Sequence, residues 1–150
     1  MLTLLPLGFV LGLLLQAPSV PDGVLSASEK TQFEKEANVE HRIKIYGAAA
    51  RRIQKELEES VAKEEFPLVP DTLKKWVALL EASSKDIESN LRAKNKSRPL
   101  ISYEIQVRKA ISSTQAYRIR APMEQQDVFG ASLEAAETAR KKLVEILFRH

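Results

Sequence analysis

The order of apolar and polar residues between Val39 and Glu64 predicts an amphipathic helix. Apolar residues recur there at spacings of three and four, which is the repeat of one helix face. They are Val39, Ile43, Tyr46, Ala50, Ile53, Leu57 and Val61. Most of the other positions are Glu, Lys or Arg, so this helix must bury its apolar stripe against other helices.

Three later segments carry stripes with the same spacing, and short proline-containing breaks separate them. The first break holds Pro67 and Pro70, and we expect the apolar residues around them to cover one end of the core. Asp71 is expected to cap the next helix, Pro99 marks the second break, and Pro122 marks the third. The main apolar residues of the three stripes are Leu73, Val77, Leu80 and Ile87 in the first, Leu100, Tyr103, Val107 and Ala110 in the second, and Phe129, Leu133, Ala136 and Leu143 in the third.

Four amphipathic helices with short connections predict an all-α fold, an antiparallel up-down-up-down four-helix bundle. The first helix would be longer than the others if it begins near Ser26. Its excess, residues 26–38, is polar apart from Phe33. We therefore expect this part to project past the bundle or to form a separate short helix.

The first nineteen residues form an apolar leader without a charged side chain. This composition is typical of a signal peptide, with cleavage expected near Ser19, or of an uncleaved membrane anchor. A buried helix of the domain is disfavoured because Pro6, Gly8, Gly12 and Pro18 interrupt the run. We predict residues 1–19 as leader, 20–27 as linker and 28–150 as the bundle domain of an exported protein, periplasmic or secreted.

The composition of the chain excludes several kinds of catalytic and metal-binding site. The chain has 150 residues, 44% of them hydrophobic, which suits one domain, and it has no cysteine for disulfides, thiolate nucleophiles or metal ligands. Its two histidines, His41 and His150, do not occur in the Glu-x-x-His pattern of di-metal carboxylate bundles. We expect no metal and no cofactor.

No group of residues predicts catalysis. Glu36 and Glu40 lie on a solvated helix face, and Glu104 is expected to form a structural ion pair with Arg108, one turn further on. The hydroxyls at residues 112–114 have no histidine nearby in sequence to activate them. The sequence therefore predicts a protein that is not an enzyme.

Positive charge is concentrated at the second break, where Arg92, Lys94, Lys96 and Arg98 occur without an intervening acid. These cations either complement the C-terminal dipole of the preceding helix or form a weak contact with an anionic membrane surface. Nucleic acid is not expected, because the leader directs the chain out of the cytoplasm and no aromatic residues alternate with the cations.

Two functions remain open at this stage. The first is a non-catalytic protein-interaction or structural module that binds an unknown protein partner or a second copy of itself. The second is a bundle that binds a small ligand in a pocket lined by aromatic residues with polar tips. The candidate pocket residues are Tyr46, Trp76, Tyr103 and Tyr117.

Overall fold

The computed structural model describes residues 17–92 and 97–149, and within these ranges the protein is all-helical, with five helices packed together. The leader prediction falls on residues that mostly lie outside the described ranges. The five helices are α1 (Ala27–Lys35), α2 (Val39–Ala62), α3 (Val69–Asn90), α4 (Arg98–Arg120) and α5 (Gln126–Leu147). Short 3₁₀ turns, Phe66–Leu68 and Met123–Gln125, precede α3 and α5.

The predicted long first helix is wrong, because the chain breaks between Lys35 and Val39. α1 begins with a capping box, in which Ser26 accepts a hydrogen bond from the Glu29 backbone and the Glu29 side chain accepts one in return. Asn38 caps α2 by accepting a hydrogen bond from the backbone N–H of Glu40. Residues 27–35 thus form a separate short helix, which is one of the two outcomes expected for residues 26–38.

α1 does not project past the bundle but folds back along α2. The ring of Phe33 lies 5.6 Å from the ring of Tyr46, and the Arg52 guanidinium bonds the Glu29 carboxylate at 2.8 Å. Arg52 also donates a hydrogen bond of 2.8 Å to the carbonyl of Val24, which is buried. Two apolar anchors and one arginine therefore hold residues 24–35 against α2.

The apolar stripes form one core shared by the long helices, as their spacing predicted. Ile43, Tyr46, Ile53, Leu57 and Val61 of α2 are all buried. They meet buried residues of the other helices, which include Leu73, Leu80, Ile87, Leu100, Val107, Phe129 and Leu143. The predicted breaks at the prolines also occur, although Asp71 lies within the first turn of α3 and does not cap it.

Each long helix packs mainly against two others: α2 and α5 each lie beside α3 and α4. Arg42 near the start of α2 bonds Asp86 near the end of α3, so these two helices run in opposite directions. Gln106 bonds Gly47, and Gln54 bonds Thr114 further along, so α2 and α4 run in the same direction. In the simplest up-down-up-down bundle each helix packs on the next one in sequence. Here α3 packs on α2 and α5, and α4 also packs on α2 and α5.

The pairings place the helix ends at two poles. The starts of α2 and α4 and the ends of α3 and α5 share one pole, as the hydrogen bond of Arg42 to Asp86 and the ion pair of Lys142 with Glu88 indicate. The two 3₁₀ turns share the other, which we call the turn pole. Among the described residues, no helix has the length and apolar character needed to cross a membrane.

Candidate functional site

A buried polar cluster joins α2 to α3. The Arg42 guanidinium donates two hydrogen bonds of 2.8 Å to the two carboxylate oxygens of Asp86, and both residues are only 4% exposed. The Tyr46 hydroxyl donates a hydrogen bond of 2.6 Å to the same carboxylate, and the Asn90 amide donates one of 2.7 Å. The carboxylate thus accepts four hydrogen bonds, which is the pairing that a buried charge requires.

The same arginine closes the break between α1 and α2. Its Nη1 atom donates to the backbone carbonyls of Glu36 at 3.1 Å and Ala37 at 2.9 Å. These carbonyls lie at the end of a helix, where the helix itself supplies no donor. Arg42 therefore stabilises the break and connects it to α3 through Asp86.

The protonation states of the cluster are fixed by its contacts. Burial alone would raise the pKa of Asp86, but the hydrogen bonds from Arg42, Tyr46 and Asn90 outweigh burial and lower it. Burial and the hydrogen bond to Asp86 raise the pKa of Tyr46 far above its usual value. At neutral pH the carboxylate is therefore charged and the phenol is protonated.

The four predicted pocket residues are distributed between the core and its edge. Tyr46, Trp76 and Tyr103 are at most 2% exposed, whereas Tyr117 is half-buried. The rings of Tyr46 and Tyr103 lie 6.5 Å apart, and the Tyr103 hydroxyl is 2.7 Å from the hydroxyl of Ser83. Within the described residues the indole nitrogen of Trp76 has no hydrogen-bond partner.

Three surface clefts are lined by other residues. One, of about 310 Å³, lies between residues 17–19 and α3 at Asp86 and Asn90. Another, of about 200 Å³, lies between residues 18–25 and α1, and a third, of about 490 Å³, lies between α3 and α5 among small side chains such as Ala135 and Ala139. None of these three clefts is lined by a predicted aromatic pocket residue. The ligand-pocket hypothesis stays a prediction.

The cationic break is described only in part. Arg92 follows the end of α3 and Arg98 is the first residue of α4, and both are exposed. Lys94 and Lys96 lie outside the described residues, so the predicted contact of these four cations with an anionic surface stays a prediction.

The predicted ion pair of Glu104 with Arg108 is confirmed, with 3.5 Å between charged atoms, and it belongs to a larger network. Arg140 of α5 approaches the other oxygen of Glu104 at 3.2 Å and also bonds Glu137 at 2.7 Å. Glu104 is 7% exposed, so the two arginines supply the partners that its buried carboxylate needs. The network attaches α4 to α5.

The turn pole carries apolar side chains that the sequence pattern did not single out. Leu68, Ile119 and Met123 are 54%, 85% and 83% exposed, respectively, and we call them the turn-pole patch. The side-chain amide of Gln125 donates a hydrogen bond of 2.6 Å to the carbonyl of Phe66, which fixes the two 3₁₀ turns side by side. The expectation that the apolar residues of the first break cover the core holds for buried Val69 but is wrong for Leu68.

A sequence signal for this patch exists in retrospect. Ile119 stands between Arg118 and Arg120 and two positions after Tyr117, which places it off the apolar seam of α4. Met123 follows Pro122, where no helical stripe can continue. Both residues lie outside the predicted stripes, and both are exposed.

Comparison of the chain with protein-family models, with curated proteins and with solved structures finds no significant match.

Proposed function

We propose that this protein is an exported, non-catalytic helical-bundle module that binds a protein partner through its turn pole. The bundle would consist of α2 to α5, with helix directions that alternate along the chain and α1 attached to α2. The observation that carries the proposal is the turn-pole patch of Leu68, Ile119 and Met123. Exposed large apolar residues concentrated at one end of a molecule are typical of interaction surfaces.

The patch is suited to binding because its backbone support is firm. The hydrogen bond of Gln125 to Phe66 holds the two turns together, and the Gln126 side chain donates to the carbonyls of Arg118 at 2.8 Å and Ala121 at 3.0 Å. Side chains on a pre-formed surface lose less conformational freedom on binding than side chains on an unsupported loop.

The buried charges support a structural role and not a catalytic one. Asp86 is fully used in holding Arg42, Tyr46 and Asn90, and Glu104 is used in holding Arg108 and Arg140. A catalytic acid or base must instead offer a proton position to a substrate. Export is supported by the uncharged apolar composition of residues 2–19.

A site-specific photo-crosslinking experiment tests the proposal. The full chain is expressed in its host with a benzophenone amino acid at Met123 and, as the matched control, at Phe148, which is 63% exposed directly after α5 at the opposite pole. We expect a discrete protein adduct from position 123 that position 148 does not give. Identical adduct patterns at both positions, or no adduct at position 123, would overturn the proposal.

A further inference from the structure

The two ends of the bundle differ in charge. At the pole opposite the turn pole, the helix ends and the residues next to them carry nine lysines and arginines against six carboxylates; the residues counted are 36–46, 83–92, 97–105 and 140–149. The same number of residues at the turn pole carries six lysines and arginines against eight carboxylates; these residues are 55–65, 66–75, 113–121 and 122–131. Residues 17–35 add two lysines and three carboxylates, which leaves the first pole positive, and we call it the basic pole.

Many cations of the basic pole are available to a partner. Three of its six carboxylates, Asp86, Glu88 and Glu104, are paired with an arginine or lysine of the same pole. Six other cations there are exposed and take part in no ion pair within the described part of the chain. They are Lys44, Lys85, Arg92, Arg98, Lys141 and Arg149.

The segment before α1 is fixed beside the same pole. Residues 17–19 lie against the last turns of α3, with which they line the cleft of about 310 Å³. The segment that follows is docked, because Val24 is buried, Val20 and Leu25 pack against the core, and the Val24 carbonyl accepts a hydrogen bond of 2.8 Å from α2. Residues 2–16, which carry no charged side chain, therefore join the body next to the cations.

We infer that the basic pole binds the surface of an anionic phospholipid bilayer, with the turn pole directed away from it. Cations beside an apolar segment attract anionic headgroups. Phe148, which is 63% exposed next to Arg149, supplies an aromatic ring of the kind enriched at membrane interfaces. The carboxylates of the turn pole outnumber its cations, so an anionic surface does not attract that end. The bilayer and the protein partner of the turn pole would occupy opposite ends of the molecule, so either can bind without the other.

Contact quenching with the full chain tests the inference. The chain has no cysteine, so Ala37→Cys before α2 and, as the matched control, Ala62→Cys at the other end of α2 each carry one fluorescent label on an exposed position. Vesicles of phosphatidylcholine and phosphatidylglycerol contain a lipid with a nitroxide on its headgroup, which quenches only labels that come close to it. We expect strong quenching at position 37 and weak quenching at position 62. High salt, or vesicles of phosphatidylcholine alone, should reduce the quenching at position 37.

Three results would overturn the inference. The first is quenching at position 62 that equals or exceeds quenching at position 37, since the turn pole would then contact the lipid as well. The second is equal quenching of position 37 on neutral and anionic vesicles, which would assign the contact to the apolar leader alone. The third is the absence of quenching at both positions. A crosslink specific to position 123 would in each case still support the protein partner of the turn pole.

Neutralising cations separates the basic pole from the rest of the charge. Lys85→Gln, Arg92→Gln, Arg98→Gln and Arg149→Gln together should raise the lipid concentration for half-maximal quenching at position 37 at least about tenfold, because each cation near the surface adds attraction. The matched variant changes four exposed cations at or near the turn pole to Gln, namely Lys55, Lys63, Lys74 and Arg120. It should alter that concentration by no more than about twofold, because these cations lie further from the lipid than a Debye length. Circular dichroism checks that both variants are folded, and equal effects of the two would contradict a specific role of the basic pole.

Discussion

The side chains of Arg42 and Asp86 face each other across α2 and α3 with two parallel hydrogen bonds of 2.8 Å, and both are almost fully buried. Because Arg42 also donates to the carbonyls of Glu36 and Ala37, this pair connects the break after α1 to the contact between α2 and α3. Replacing both members of a buried ion pair with apolar residues can leave the stability of a protein unchanged, whereas removing only one member is strongly destabilising. We therefore expect this pair to select one arrangement of the helices more than to add net stability.

Replacing Asp86 with Ala should lower the free energy of unfolding by about 3 to 5 kcal/mol, because the buried guanidinium of Arg42 loses its counter-ion. The measurement is urea denaturation at pH 7. Glu137→Ala is the control, since its pair with Arg140 is partly exposed and should be worth no more than about 1 kcal/mol. Equal effects of the two changes would mean that the buried pair is not formed in solution.

The contribution of Asp86 should disappear in acid. Its pKa is lower in the folded protein than in the unfolded chain, so its stabilising effect is complete above the unfolded pKa, near 3.9, and is lost as the pH falls through the folded pKa. The difference in unfolding free energy between wild type and Asp86→Ala should therefore shrink below about pH 4. A difference that stayed constant from pH 7 to pH 2 would contradict this assignment.

Glu64→Gly should stabilise the protein by about 1 kcal/mol. Glu64 follows the end of α2 with a φ of 56°, a left-handed conformation that costs a residue with a Cβ about 1 to 2 kcal/mol. Lys63→Gly is the matched comparison, because Lys63 has a φ of −89° and gains nothing from glycine. Thermal unfolding of both variants decides the question, and a lower melting temperature for Glu64→Gly would refute the argument.

The register of α2 predicts opposite effects for two adjacent residues. Leu57 is fully buried and Glu58 is exposed, so Leu57→Ala should cost about 2 to 5 kcal/mol and Glu58→Ala no more than about 0.5 kcal/mol. Chemical denaturation measures both values. The reverse order would show that the helix is rotated from the position described.

The helical class and most of the core could be predicted from sequence because both depend on local periodicity. Residues such as Ile43, Leu57 and Leu80 repeat with the helical period and are buried. A break before Val39 was one of the two outcomes that the sequence left open for residues 26–38. The sequence could not decide between them, because the break contains neither proline nor glycine and is stabilised by Arg42, which is held by a residue 44 positions away. Only the fold brings Asp86 to it.

The positions of individual side chains at helix contacts and turns also could not be predicted from the sequence pattern. At Gly130 a Cβ would lie 3.0 Å from the guanidinium of Arg118, so the glycine leaves room for that group, which the helical pattern does not indicate. Likewise, the apolar character of Leu68 indicated burial, whereas the 3₁₀ turn directs Val69 inward and leaves Leu68 exposed. Such outcomes depend on turn geometry and not on residue type.

The most direct test of the turn pole as the binding surface is site-specific photo-crosslinking of the full chain from position 123, compared with position 148. The account predicts a discrete protein adduct from position 123 that position 148 does not give. The same adducts at both positions, or no adduct from position 123, would contradict it.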